Sequence, residues 1–309
     1  SGLRTPSDRI LSTGVFHING RGRGFGDSHS HGHGWTDLKQ SIAASVNTYY
    51  YQLALDLGVE RFDQYMGRYG FGQPTGIDLI GETSGILPSP EYKRKRWRQD
   101  WYLGDLVNSG IGQGLWKATI PQLAQATASV ANNGMRHRLH LVRSTRQGYA
   151  EPWLPTPQPE PVRISDSPEH VALIREAMVA TVHGPTGTAR AIGLNAPFLI
   201  GGKTGTAQVV SNRNDLRRDP HSLPMHLRHQ SLFIAFAPAD APRIAVAVVV
   251  EHGGFGSTSA APIARAILDA YLLPKLQTAA PPAPQSPTAA PMQAAPIDES
   301  DAAREPTPP

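Results

Sequence analysis

Near its C-terminal end the chain carries two β-rich runs, residues 231–237 and 243–251, joined only by Pro-Ala-Asp-Ala-Pro, and few architectures accept them. So short a link predicts an antiparallel hairpin. Residues 198–200 lead into Gly201-Gly202-Lys203-Thr204-Gly205-Thr206 as a third strand beside it, and residues 262–273 read as a helix returning onto the sheet. Helical patterns come earlier. Thr36 is read as the N-cap of DLKQSIAAS, and after a break near Val46 and Asn47 a second helix runs through Tyr50, Leu53, Ala54 and Leu57 to Gly58. Phe62, Tyr65, Met66 and Tyr69 mark a helix stopping at Gly70; Pro121 opens one closed by Asn133-Gly134; Ser167-Pro168-Glu169 caps one that ends at Gly184. Helices before and after a late antiparallel meander predict an α+β fold, an antiparallel sheet flanked by helices, with no alternating βαβ units. The first 34 residues, rich in glycine and histidine, read as loops.

The 309 residues have room for a sizeable core. Their 39% hydrophobic and 17% charged residues exclude a membrane bundle and a highly charged disordered chain. The longest aliphatic run, residues 244–250, is far short of the roughly 20 that a bilayer span needs. A net charge of +4 asks for no nucleic-acid partner, and zero cysteines remove disulfides, thiol catalysis and zinc-thiolate sites together. The start, SGLRTPSDRILST, has neither Met nor an apolar leader core, so the chain is expected to begin inside a longer protein. Residues 275–309 hold nine Pro and nine Ala with almost no aliphatic side chains. They are expected to form a disordered Pro/Ala-rich tail behind a folded part at 1–274.

Chemistry concentrates in two short motifs. Lys203-Thr204-Gly205-Thr206 places a cation, two hydroxyls and a residue without a side chain at a predicted strand end, where an extended peptide carboxylate could be received. A phosphate loop fails on spacing, because the glycine it requires would fall on Pro197. Ser45-Val46-Asn47, between two helices, offers a hydroxyl to relay a proton and an amide to orient a substrate. Either motif alone also fits a plain turn or cap. Together, with the second on a strand and a hairpin and helix after it, they correspond to the S-x-N and K-T-G elements of penicillin-recognising serine enzymes.

With SVN and KTGTAQ come NTYYYQLALDLG, FGQPTGIDL, SGILPSPEYKRKRW, WYLGDLVNSGIGQG, ATIPQLAQATASVANNG and VVVEHGGFG. From about Gly32 to Leu273 the chain resembles the class B penicillin-binding protein transpeptidases of the elongation type. The resemblance implies a β-lactamase-like transpeptidase fold, incomplete at the N-terminus, and an enzyme at the periplasmic face of the bacterial inner membrane. That enzyme cross-links D-Ala-D-Ala stem peptides of peptidoglycan by serine acyl transfer and binds β-lactams. Implied partners are a membrane glycosyltransferase and the scaffold proteins of the elongation complex; no cofactor is implied. In this likeness Ser45 passes a proton between the leaving amine and a catalytic lysine, Asn47 bonds the substrate backbone, and Lys203 supplies positive charge near Ser45 and the terminal carboxylate. Thr204 and Thr206 hold that carboxylate, Gly205 allows close approach, and the Thr206 N–H forms half of an oxyanion hole.

The family's nucleophile motif S-x-x-K is absent from these residues: Ser89 meets Lys93 one place too far on, and Thr36-Asp37-Leu38-Lys39 offers the wrong hydroxyl. The chain therefore reads as a C-terminal portion that does not become acylated on its own. Two alternatives stand beside this: a non-catalytic module that binds peptidoglycan or a partner, and a β-lactamase, against which Val46 counts because the hydrolytic form has Asp there. Among weaker signals, alternating His29, His31 and His33 point to opposite sides of an extended loop, leaving at most His17, Asp27 and His33 to converge on zinc. Gly20-Arg21-Gly22-Arg23-Gly24 reads as a flexible loop, and Lys93, Arg94, Lys95, Arg96 and Arg98 as a solvated basic loop, with an anionic glycan, a lipid headgroup surface or a partner protein as the alternatives.

Overall fold

The structure is a computed structural model that describes residues 2–209 and 222–279, with side chains described to residue 276. The chain divides into two units, residues 1–271 and 272–309. In the first unit the N-terminal segment, expected as loops, folds into four short strands: β1 (Ile10–Ser12), β2 (Val15–His17), β3 (Gly24–Gly26) and β4 (Gly34–Thr36). β1 pairs with β4 and β2 with β3, both antiparallel. Three residues apiece and many glycines leave no periodicity to read, so pairing across the chain makes these strands.

α1 (Leu38–Ala43) is capped by Asp37, whose carboxylate accepts the Gln40 N–H at 2.9 Å; Thr36, the expected cap, ends β4 instead. α2 (Asn47–Arg68) begins where the break was expected and carries one non-helical residue, Gly58, with φ 73°. The expected helix end at Gly58 is thus a kink between two helical stretches. α3 (Pro90–Trp97) and α4 (Leu103–Gly110) follow; the basic run expected as a solvated loop is helix α3, and its Lys93 is buried. The Ser89 hydroxyl accepts the Tyr92 N–H and Pro90 sits in the first turn, so the local sequence does specify this helix.

α5 (Ile120–Ala131) opens on a capping box in which Thr119 and Gln122 exchange backbone bonds. The segment after it makes two more minor pairings, β5 (Met135–Arg136) with β8 (Val162–Arg163) and β6 (Ser144–Thr145) with β7 (Leu154–Pro155). α6 (Pro168–His183) ends at Gly184 as expected, although the Ser167 hydroxyl donates to Glu169 and does not cap. The short α7 (Arg190–Gly193) leads to the main sheet of β9 (Gly201–Ala207), β10 (Gln230–Ala237) and β11 (Ile244–Val250), in the order β11-β10-β9 and antiparallel throughout. The expected hairpin and third strand are both present. The third strand starts at Gly201, after residues 198–200, so Lys203-Thr204-Gly205-Thr206 lies within it and not at its end.

Ile42, Val130, Ala131, Val171, Ala177, Met178 and Phe236 form the core where α1, α5 and α6 meet β10. Phe233 and Phe236 are fully buried, each contributing about 1.5–3 kcal/mol by leaving water. A Cβ at Gly202 would lie 2.6 Å from the Phe233 ring, so glycine is what lets β9 approach that ring. α8 (Ala260–Ala279) starts two residues before the expected helix, and within the first unit it buries Ala260, Ala261, Ala264 and Leu268. Of the second unit only residues 272–279 are described, and they are helical. The expected tail at 275–309 otherwise lies outside the described residues. Among the described residues no helix is long and apolar enough to cross a membrane.

Candidate active site

The turn that carries Ser45 is a helix terminus under strain. Ala44 closes α1, Ser45 takes a left-handed φ of 58°, and the N–H groups of Ser45 and Val46 return to the carbonyls of Ile42 and Ser41 at 3.3 and 2.9 Å. This is the Schellman closure, whose left-handed position usually belongs to glycine. Val46, next in line, is fully buried and has no side chain able to cap α2.

Asp27 supplies the missing cap from 20 residues upstream: it accepts the Asn47 N–H at 2.8 Å and the Thr48 N–H at 3.1 Å. The Ser12 hydroxyl and the Ser28 N–H, each at 2.7 Å, take up its remaining capacity. Burial alone would raise this carboxyl, but the hydrogen bonds from Thr48, Ser12 and the Asn47 amide outweigh it and hold Asp27 below its ordinary value. The Asn47 side chain donates to the Gly26 carbonyl at 3.3 Å, so strand β3 also steadies the turn.

β9 presents its residues against this turn. Lys203 Nζ donates to Ser45 Oγ at 2.8 Å, across 158 positions of sequence, and to the Thr204 carbonyl at 2.8 Å. Burial pulls the Lys203 ammonium down to about 8. Because Ser45 Oγ accepts from the ammonium, its own proton is free to donate elsewhere. Thr204 Oγ1 meets Thr188 Oγ1 at 2.7 Å, and Thr188 is itself tied to α1 through the Ala43 carbonyl at 3.1 Å. Gln113, in the loop after α4, donates to the Thr206 carbonyl at 2.7 Å and accepts the Gln208 N–H at 3.2 Å. The chain after β11 also packs closely on β9: a Cβ at Gly256 would lie 2.9 Å from the Gly205 nitrogen.

Ser45, Asn47, Lys203, Thr204, Gly205 and Thr206 thus line one cavity of about 720 Å³, together with Asp27, Thr188, Gln113 and Phe255. All six residues singled out from the two sequence motifs are brought together. Asp27, Thr188 and Gln113 were not assigned to this cleft from the sequence; a signal existed for the first, since a helix starting behind Val46 needs an acceptor from elsewhere. The three zinc candidates do not converge. Asp27 spends its oxygens on the cap, His33 Nε2 bonds the Ser28 hydroxyl 3.9 Å from Asp27 Oδ1, and His17 Nδ1 bonds the Gly22 carbonyl. Among the described residues no group of three His, Cys, Asp or Glu side chains is placed to hold a metal.

A buried cation and two threonine hydroxyls on the outer strand of the main sheet, opposite a serine hydroxyl, have the chemistry that can receive an extended peptide ending in a carboxylate. The chain belongs to the penicillin-binding protein transpeptidases: residues 10–269 match the penicillin binding protein transpeptidase domain. A particular relative is the peptidoglycan D,D-transpeptidase MrdA of Haemophilus influenzae, 37% identical over 245 residues, which are 78% of this chain and 37% of that protein. The chain therefore spans well under half the length of this curated relative. Among solved structures, Pseudomonas aeruginosa PBP2 in complex with WCK 5153 is 40% identical with a TM-score of 0.77, covering 88% of this chain and 57% of that one. The complex of PBP2 and MreC from Helicobacter pylori is 27% identical with a TM-score of 0.73, covering 87% of this chain and 46% of that one. The α+β fold expected from the late antiparallel meander is the fold of these neighbours.

Proposed function

We propose that this chain carries the substrate-gripping and proton-handling part of a peptidoglycan D,D-transpeptidase that joins D-Ala-D-Ala stem peptides by serine acyl transfer. The contact of 2.8 Å between Lys203 Nζ and Ser45 Oγ, inside a cleft edged by Thr204 and Thr206, carries this reading. The terminal carboxylate of the stem lies against Lys203 and the hydroxyls of Thr204 and Thr206. Asn47 orients the stem backbone, and the outward N–H of Thr206 stabilises the oxyanion that forms at the attacked carbonyl. Ser45 hands a proton to the departing D-Ala amine, drawing on the ammonium beside it; an ammonium that titrates near 8 is poised to give and recover a proton close to neutral pH. The nucleophile of the family is not among these residues, so acylation requires an S-x-x-K segment supplied from outside them. On this reading the chain works at the periplasmic face of the inner membrane, in company with a glycosyltransferase and a scaffold protein; that the Helicobacter pylori neighbour was solved with MreC supports the scaffold partner.

Labelling with a fluorescent penicillin, read after denaturing electrophoresis, tests the assignment. The 309-residue chain alone is expected to show no adduct, and a polypeptide joining it to an S-x-x-K segment is expected to show one. Lys203→Ala in that longer polypeptide is expected to slow acylation by at least on the order of 10²-fold. Undiminished labelling of the variant overturns the role given to Lys203, and an adduct on the 309-residue chain overturns the missing-nucleophile reading.

A further inference from the structure

β9 is the outer strand of the main sheet, and an outer strand is where an extended peptide adds. In an antiparallel ladder successive residues turn their N–H and C=O to opposite edges. The bonds that Gln113 makes at Thr206 and Gln208 put those two residues, and Thr204 with them, on the edge away from β10. Much of this edge is already engaged by side chains of the protein. The Thr204 carbonyl accepts from Lys203, the Thr206 carbonyl from Gln113 Nε2, and the Gln208 N–H is satisfied by Gln113 Oε1.

A primary carboxamide offers one donor face and one acceptor face, as a peptide unit does. Gln113 therefore occupies this stretch of β9 as a partner strand would. It is held there by its loop: its own N–H bonds the Asn108 carbonyl at 3.0 Å, and the glycines on either side, Gly112 and Gly114, have left-handed φ of 73° and 77°. The Thr206 N–H points to the same edge, on the cavity, and among the described residues no side chain is bonded to it, while the Thr206 carbonyl is covered.

We infer that Gln113 is a specificity-determining residue that competes with the backbone of the acyl donor for the Thr206 carbonyl. The inference rests on the transpeptidase reading of the cleft. A donor that presents an amide N–H to that carbonyl must first displace the Gln113 carboxamide. A donor without such an N–H binds with Gln113 in place. Gln113 thereby lowers the advantage of donors that carry the N–H and sets how strongly the site discriminates by it. Carboxylate capture at Lys203 and the open Thr206 N–H are unaffected.

The test uses a polypeptide in which these residues are joined to the family's S-x-x-K segment, and two penams that differ in one feature. Benzylpenicillin carries an exocyclic amide N–H, and penicillanic acid carries none. For each, the acylation time course is separated into the non-covalent dissociation constant and the acylation rate constant. Gln113→Ala is expected to lower the dissociation constant of benzylpenicillin about fivefold, the worth of one net hydrogen bond, with its acylation rate constant unchanged. Penicillanic acid is expected to stay within about twofold on both constants, since no bond at Thr206 is gained. Gln113→Glu keeps the side-chain length and loses the donor to the Thr206 carbonyl; it is expected to shift benzylpenicillin in the same direction and carries the test if the alanine variant fails to fold. Equal shifts for the two penams, weaker benzylpenicillin binding, or loss of folding in both variants overturns the inference and leaves Gln113 a structural strut. A wild type that neither penam acylates overturns the transpeptidase reading, and this inference with it.

Discussion

Ser45 occupies a backbone state that costs a non-glycine residue about 1 kcal/mol or more, and it holds its hydroxyl 2.8 Å from the Lys203 ammonium. Two substitutions separate strain from chemistry. Ser45→Gly removes the hydroxyl and the strain together, whereas Ser45→Ala removes the hydroxyl and keeps the strain. The glycine variant is expected to be the more stable of the two by about 1 kcal/mol in urea unfolding, with both equally deficient in acylation. An alanine variant at least as stable as the glycine variant sinks the strain argument. Asp27 is the second residue whose setting makes a measurable claim. Asp27→Ala leaves the part-buried N–H of Asn47 and the buried N–H of Thr48 without their acceptor, and a loss of about 2–4 kcal/mol is expected from the denaturant midpoint. The S-x-N turn was legible because a hydroxyl and an amide between two helical patterns stand out in the sequence. The left-handed state of Ser45 was not, because serine gives no sign of it. Asp27 drew attention as a possible zinc ligand, since the histidines around it hid its use as a distant helix cap.

At the scale of elements, α3 and α4 illustrate how one cation among several acquires a partner. Lys93 buries its side chain and reaches Asp105 Oδ2 at 2.7 Å, with the Tyr102 ring 4.6 Å from the ammonium. Asp105 also accepts the Tyr102 N–H at 2.8 Å, so the same carboxylate caps α4 and neutralises α3. Asp105→Ala strands a buried ammonium and opens a cap. Because the Asp105 side chain is partly exposed, a loss of about 2–3 kcal/mol is expected, below the range for a fully enclosed pair. Replacing the neighbouring Arg96 by Ala is expected to change stability by no more than about 0.5 kcal/mol. Equal losses from the two substitutions, read from urea midpoints, would show that the pair adds nothing beyond surface charge. In the sequence the five cations look alike, and the burial of Lys93 follows only once α4 lies beside α3. The same limit applies to β1–β8, which are too short for a pattern of alternation. The runs forming β10 and β11 are longer and apolar, the first built on Leu, Ile and two Phe and the second on Val and Ile, so their strand character is legible in the sequence.

Across the whole molecule the helical layer and the sheet are joined at His183, the last residue of α6, whose Nε2 accepts the Ile200 N–H at 3.0 Å just ahead of β9. That bond requires an unprotonated Nε2. Burial, and then the nearby Arg265 charge, hold the His183 ring below its ordinary value. As pH falls from neutral, the unfolded chain takes up this proton near 6.5 while the native ring resists, so the unfolded state binds more protons and stability declines. A second titrating group works against this. Burial raises the Asp63 carboxyl to about 6, so the native state takes up a proton there before the unfolded chain does, and stability rises as pH falls below that value. The carboxyls held low, such as Asp27, lose their stabilising bonds only below their ordinary range and stay outside this window. The two opposing groups leave the net slope shallow, and substitution resolves it. His183→Gln can present a carbonyl to the Ile200 N–H without titrating; relative to wild type, its melting temperature is expected to gain steadily as pH is lowered from 7 to about 5. Asp63→Asn is expected to do the reverse, falling behind wild type over the same range. Parallel melting curves for wild type and both variants would remove titration at these two sites as a source of pH-dependent stability in this window.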